Sequence, residues 1–206
     1  MNKGYTLIDG TIILNRELND LDLFVKDFLD VLKKYSSYLV VSGYVSISSG
    51  RTRGTEDVDV LVEVFDKKLF EKLFYDLEKN NFWCYQSDDF EEVYDYVREM
   101  KSIRFARKNE MFPNIEFILV DESKKAKYFE FTHPQKIRVK DFEFLIPPIE
   151  FEILYKEIVL GGDKDLADAK HLRLFYSEIL EGNKFNEYKK IIIGEIKNEI
   201  KKNTGI

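Results

Sequence analysis

Two acids, Asp57 and Asp59, interrupt an apolar run, Asp57-Val58-Asp59-Val60-Leu61-Val62. Alternation along a strand sends both carboxylates to one face, roughly 7 Å apart. A carboxylate among valines and leucines is costly unless it is paired or bound to a cation. Two oxygen ligands side by side suit a hard cation such as Mg2+, and a glycine-containing turn nearby suits a nucleoside triphosphate. Such a turn precedes the strand. Val40-Val41-Ser42-Gly43 closes one apolar stretch, and Gly50-Arg51-Thr52-Arg53-Gly54-Thr55-Glu56 leads into the acids. The same pattern also fits a half-exposed edge strand whose acids are simply solvated.

Arg51 and Arg53 flank this strand, and a guanidinium suits phosphate oxygens as a bidentate donor. Solvated loop charges are the equal alternative. With only His133 and His171, a histidine-rich transition-metal site is disfavoured, and the carboxylates point to a hard cation. His171 reads as a satisfied, partly buried histidine. Cys84, the single cysteine, excludes an internal disulfide and reads as a packed small side chain beside Trp83.

Positioning those groups takes strands and helices in a fixed order. Asp9-Gly10 between runs 5–8 and 11–14 signals a two-residue hairpin. Residues 18–35 carry Leu21, Phe24, Val25, Phe28 and Leu32 at helical spacing, with Asn19 or Asp20 as cap. A buried strand is expected over 38–41, a helical turn or two over 44–49, and the acid-bearing strand to about Phe65. An amphipathic helix over 67–80 turns Leu69, Phe70, Leu73, Phe74 and Leu77 inward. A strand at 82–85, a short helix at 91–98, and strands at 103–106 and 115–120 follow. Further extended pieces are expected at 129–131, 137–139 and 142–146. At Pro147-Pro148 the pattern turns helical, over 149–160, 164–180 and 186–202, with breaks at Gly161-Gly162 and Glu181-Gly182-Asn183. The organisation is an α/β (α+β) core with an N-terminal hairpin over 1–146 and a helical tail over 147–206 packed on it.

The 206 residues carry a net charge of -6, so the whole chain is no magnet for nucleic acid. Basic residues nevertheless gather at 101–108 and at 124–140, either as a track for a polyanion or as solvated faces. Phe105, between Arg104 and Arg107, leaves a base-stacking reading open. No run approaches the roughly 18 apolar residues of a membrane helix, and no basic-then-apolar leader opens the chain, so a cytoplasmic protein is expected.

The order of the parts resembles the nucleotidyltransferase superfamily, the DNA polymerase β-like fold. Its signature is a glycine/serine turn after one strand, an acidic-apolar-acidic triplet on the next, and a third carboxylate on a later strand. Here these are Ser42-Gly43, Asp57-Val58-Asp59, and Glu116 in Asn114-Ile115-Glu116-Phe117-Ile118-Leu119-Val120. Gly50 to Glu56 looks like the segment that small stand-alone members carry before the acids. Ile146-Pro147-Pro148, Leu154-Tyr155-Lys156 and Lys164-Asp165-Leu166-Ala167-Asp168 are similar to their helical tail. The resemblance covers roughly residues 38–175. The usual turn is Gly-Ser or Gly-Gly, whereas Ser42 here precedes Gly43, and the third acid is usually aspartate.

The resemblance implies a mixed-sheet nucleotidyltransferase core and Mg2+-dependent transfer of a nucleoside monophosphate from a triphosphate such as ATP to a hydroxyl. Asp57, Asp59 and Glu116 would hold two Mg2+ ions. Ser42 and Gly43 would meet the β and γ phosphates, with Arg51, Arg53, Lys156 and Lys164 as contacts to triphosphate or acceptor. For Lys164, an i,i+4 surface pair with Asp168 is the plainer reading. Small members with this tail resemble abortive-infection-type toxins, which act beside an antitoxin protein, and the basic clusters favour RNA, such as a tRNA 3′ end, over a small molecule; a protein hydroxyl is the other acceptor. The Ser-Gly order and Glu116 keep a second reading open, a catalytically degenerate module that binds nucleotide or a partner.

Overall fold

The computed structural model describes residues 4–204, the last seven by backbone alone. In chain order the elements are β1 (Tyr5–Ile8), β2 (Thr11–Leu14), α1 (Asp20–Leu32), β3 (Tyr38–Val41), α2 (Gly43–Ser48) and β4 (Asp57–Glu63). Next come α3 (Lys67–Lys79), β5 (Phe82–Cys84), α4 (Phe90–Arg98), β6 (Ile103–Arg107), β7 (Asn114–Val120) and α5 (Lys125–Thr132). Then follow β8 (Gln135–Val139), β9 (Phe142–Ile146), α6 (Ile149–Tyr155), a π-helical turn (Lys156–Leu160), α7 (Asp163–Phe175) and α8 (Gly182–Thr204).

Five strands form a mixed sheet in the order β3-β4-β7-β6-β5, in which only the central β4–β7 pair is parallel. The register does the positioning. Asp59 lies opposite Glu116 across β4 and β7, and Glu116 lies opposite Arg104 across β7 and β6. Three charged residues therefore stand in a row across one face. The alternating residues Val58, Val60, Val62, Ile115 and Phe117 face the other way and are fully buried with Phe28 of α1 and Phe70 and Phe74 of α3. Each such burial contributes about 1.5–3 kcal/mol relative to exposure. The charged face is itself only partly open. Farther along it Leu39, Val41, Leu61 and Val120 pack against Tyr128 and Phe131 of α5.

The hairpin forms as its turn residues demand, with Asp9 at φ 48° and Gly10 at φ 77°. Its second strand pairs in parallel with β8, giving a second sheet, β1-β2-β8-β9. α1 opens on a reciprocal cap, Asn19 accepting the Asp22 amide while Asp22 accepts the Asn19 amide. Ile149, Ile153, Ala169, Leu172 and Tyr176 belong to the same buried cluster as the strands, so the helical tail shares the core of the sheet.

Three expectations are corrected. The piece at 129–131 is helical, within α5. No side chain caps that helix; packing holds it instead, with the Glu195 carboxylate accepting the Ala126 amide and Phe129 stacked near Phe151 and Tyr188. α7 stops at Phe175, and α8 already begins at Gly182, so the break lies before Gly182-Asn183 rather than at it. Phe105 is 1% exposed and edge-packed on Phe117, which removes it as a stacking platform.

Candidate active site

Asp57, Asp59 and Glu116 converge: one carboxylate oxygen from each lies within 4.8 Å of the other two. All three are half-buried. Burial first, then the Asp57 charge, and more weakly that of Glu116, push the Asp59 carboxyl up to about 6 against a restraining hydrogen bond from Ser42. An all-oxygen set that repels itself fits a hard divalent cation such as Mg2+. Among the described residues, the one cation bonded to the set stands at its far end, where Arg104 Nη2 donates to Glu116 Oε2 at 2.6 Å.

The turn beside them is strained. Ser42 has φ 62° and ψ -128°, a region that glycine occupies freely and other residues avoid. The Ser-Gly order thus seats the serine where a Gly-Ser turn would place its glycine. Holding a non-glycine residue there costs about 1–3 kcal/mol, strain of the kind that clusters at functional sites. Gly43 is needed for a different reason: a Cβ on it would sit 2.2 Å from Arg53 Nη2, so the Arg53 guanidinium rests directly on the glycine.

A cavity of about 620 Å³ opens over this turn, bordered by Ser42, Gly43, Asp57 and Asp59 on one side and by Arg53 and Lys164 on another. Arg53 Nε is buried there with no hydrogen-bond partner. Thr55 Oγ1 donates to the Asp57 carbonyl at 2.8 Å, which ties the 50–56 loop to the first acid.

The remaining sequence candidates separate. Asp168, expected on a helix surface beside Lys164, is instead fully buried and gathers Arg51 at 3.0 Å, Arg53 at 3.3 Å and Lys156 at 3.4 Å. Lys156 is fully enclosed, held also by Glu152 at 3.3 Å, so its ammonium tethers α6 to α7 rather than lining the cavity with Lys164. Arg51 is half-buried and does not line the cavity; it braces the loop against Asp168. His171 Nε2 donates to the Ser49 carbonyl, 2.9 Å away, as a satisfied structural histidine. Half of the residues in the basic clusters are paired too: Lys101 with Glu99, Arg104 with Glu116, Arg107 with Asp27, Lys136 with Glu143 and Lys140 with Glu17. Asp168 is the residue that reading the sequence undervalued, and its place in a K-D-x-x-D segment was the only signal for it.

No family model matches this sequence, and no curated protein matches it. Solved structures do. The lincosamide antibiotic adenylyltransferase LnuA, in its lincomycin-bound crystal structure, superposes with a TM-score of 0.51 at 14% identity, over 78% of this chain and 99% of that one. An antigenic nucleotidyltransferase-like protein from Paracoccidioides brasiliensis superposes with a TM-score of 0.51 at 14% identity, over 89% of this chain and 91% of the other. The chain therefore has the nucleotidyltransferase fold.

Proposed function

We propose that this protein is a Mg2+-dependent nucleotidyltransferase, moving a nucleoside monophosphate from a nucleoside triphosphate to a hydroxyl in the cytoplasm. One observation carries the reading: three carboxylates from two paired strands meet beside a strained Ser42-Gly43 turn and a cavity with cationic side chains. Asp57, Asp59 and Glu116 would hold the cations, two in the reading by resemblance, which when bound neutralise charge on the reacting phosphate. Arg53, whose Nε lacks a partner, and Lys164 border the cavity, which supports a role for both in receiving the departing pyrophosphate. Glu116, once released by Arg104, is the group to take the proton of the attacking hydroxyl.

For the acceptor we carry forward an RNA 3′ end, and for the setting a toxin held in check by an antitoxin protein. Exposed Lys124 and Lys125 support the RNA, although pairing has thinned the basic clusters that first suggested it. No described helix is long and apolar enough to cross a membrane.

Thermal unfolding with each of the four nucleoside triphosphates, with and without Mg2+, tests the reading on wild type and Asp59→Asn. A ligand specific for the folded state adds about 2.7 kcal/mol of apparent stability at a hundredfold excess over Kd. The expected result is a Mg2+-dependent upward shift that Asp59→Asn abolishes. Absence of any shift with all four would overturn it.

A further inference from the structure

The charged face of the five-stranded sheet continues past the acids onto β5. Glu116 lies opposite Arg104, and the Tyr85 amide donates to the Arg104 carbonyl at 2.9 Å, so Tyr85 is the next member of the row that begins at Asp59. Trp83 stands two residues earlier on the same face, since Phe82 and Cys84, which alternate with it, are buried with Phe28 on the other. The Trp83 and Tyr85 rings stack with centroids 4.9 Å apart and planes 27° apart, and both residues are half-buried. Their polar atoms are already engaged: Trp83 Nε1 donates to the Glu110 carbonyl at 3.0 Å, and the Tyr85 hydroxyl donates to that of Met111. These bonds tie the β6–β7 loop to the rings and fix them in place. The same loop holds Met111 and Phe112 outward, each 54% exposed. Large apolar side chains gathered at the end of a charged row mark an interaction surface.

Position and charge say what would cover it. The patch lies two strands beyond Glu116, roughly 10 Å at the spacing of paired strands. The cavity bordered by Arg53 and Lys164 lies on the opposite side of the row, at β4, so an occupant of the patch belongs to the acceptor and not to the triphosphate. Between patch and acids stands Arg104, 43% exposed, and exposed Lys108 follows directly after β6. Stacked rings beside a guanidinium suit unpaired bases joined by a phosphodiester. An apolar peptide would use the rings and leave the cations without a counter-charge; a duplex hides its base faces and would use the cations alone. We infer that this surface binds the acceptor as a single-stranded RNA 3′ end, its bases stacking on Trp83 and Tyr85 and the phosphate nearest the reacting hydroxyl meeting Arg104. The inference rests on the nucleotidyltransferase reading and deepens it to the form of the acceptor.

Trp83 is the only tryptophan in the chain, so its fluorescence reports on the patch directly. Titrating a short single-stranded RNA into the full chain should quench that fluorescence saturably, and the same RNA annealed into a blunt duplex should bind at least about tenfold more weakly. Tyr85→Leu should weaken binding of the single strand roughly 5- to 100-fold, the loss of one base–aromatic stack. Tyr85→Phe, which keeps the ring and drops only the hydroxyl, should bind within about twofold of wild type. Equal binding of strand and duplex, or a loss in Tyr85→Phe as large as that in Tyr85→Leu, would overturn the stacking. Quenching by a serine-containing apolar peptide and not by RNA would do the same, and would assign the patch to a protein acceptor. The wild-type comparison needs no variant, so a folding defect in Tyr85→Leu cannot hide the answer. Thermal unfolding with triphosphates keeps the two readings apart. A Mg2+-dependent shift without quenching by RNA removes this inference alone, whereas no shift with any triphosphate removes the nucleotidyltransferase reading beneath it.

Discussion

Two charged clusters adjoin the 50–56 loop, and they are built on opposite principles. At Asp168 one fully buried acid is surrounded by Arg51, Arg53 and Lys156, each within 3.4 Å. At Asp57, Asp59 and Glu116 three half-buried acids face one another, and the single cation bonded to them among the described residues, Arg104, reaches only the last. In the first cluster the acid is fully paired, and the cations exceed it. The second is left with excess negative charge that the fold does not neutralise, and Asp59 shows it by holding its proton up to about 6. A buried acid held by cations from other elements marks architecture, and acids left facing one another mark a place for a ligand.

Breaking the balanced cluster should have the largest effect. Asp168→Asn leaves a buried Lys156 ammonium facing an amide, and removing one partner of a buried ion pair typically costs about 3–5 kcal/mol. Urea unfolding should show that loss, and a change below about 1 kcal/mol, the range of exposed pairs, would mean that Glu152 alone neutralises Lys156. The unbalanced cluster should respond in the opposite sense. Below about pH 4 Asp59 is protonated in both the folded and unfolded chain and contributes nothing to the difference. Between about pH 4 and 6 the unfolded chain ionises first, so the folded state loses stability as pH rises, and the loss is complete above the folded value of about 6. The expected size is about 1–2 kcal/mol, since solvent at this half-buried site screens part of the shift. Asp59→Asn should remove that decline, and Mg2+ should reverse it in wild type; parallel unfolding curves for wild type and variant would refute the repulsion.

How far the sequence revealed these clusters follows from the range of the interactions that make them. β4, β7 and the Asp57–Asp59 pair were legible, because strand alternation is local and apolar residues bracket the acids. The pairing of Asp59 with Glu116 across β4 and β7 is not local, and the family resemblance rather than periodicity anticipated it. Asp168 was obscured by a decoy: Lys164 stands four residues earlier, an ordinary helix-surface spacing, whereas the actual partners Arg51 and Arg53 are more than a hundred residues away. α5 was misread as extended for the same reason, since Glu195 and Tyr188, from the far end of the chain, are what hold it. Glu152 carries no sequence signature, because a carboxylate enclosed by tertiary packing looks like any other glutamate.

Arg104 is where the two principles meet, and it gives the smallest and most diagnostic effect. Its guanidinium bonds Glu116 at 2.6 Å, yet its side chain is 43% exposed, so the pair contributes at most about 1 kcal/mol to folding. Arg104→Gln should therefore leave the unfolding midpoint almost unchanged. Its consequence lies in the site. While Arg104 is bonded to it, Glu116 is partly neutralised and one of its oxygens is committed; without Arg104 the third carboxylate turns wholly to the metal position. Divalent-cation affinity, read by titrating Mg2+ or Mn2+ into the folded protein, should rise about two- to threefold, the equivalent of roughly 0.5 kcal/mol of released competition. A fall in affinity would mean that the arginine holds Glu116 in its ligating position instead of competing for it. The acidic row would then be balanced by design in the manner of Asp168, and the contrast between the two clusters would narrow to one of solvent exposure.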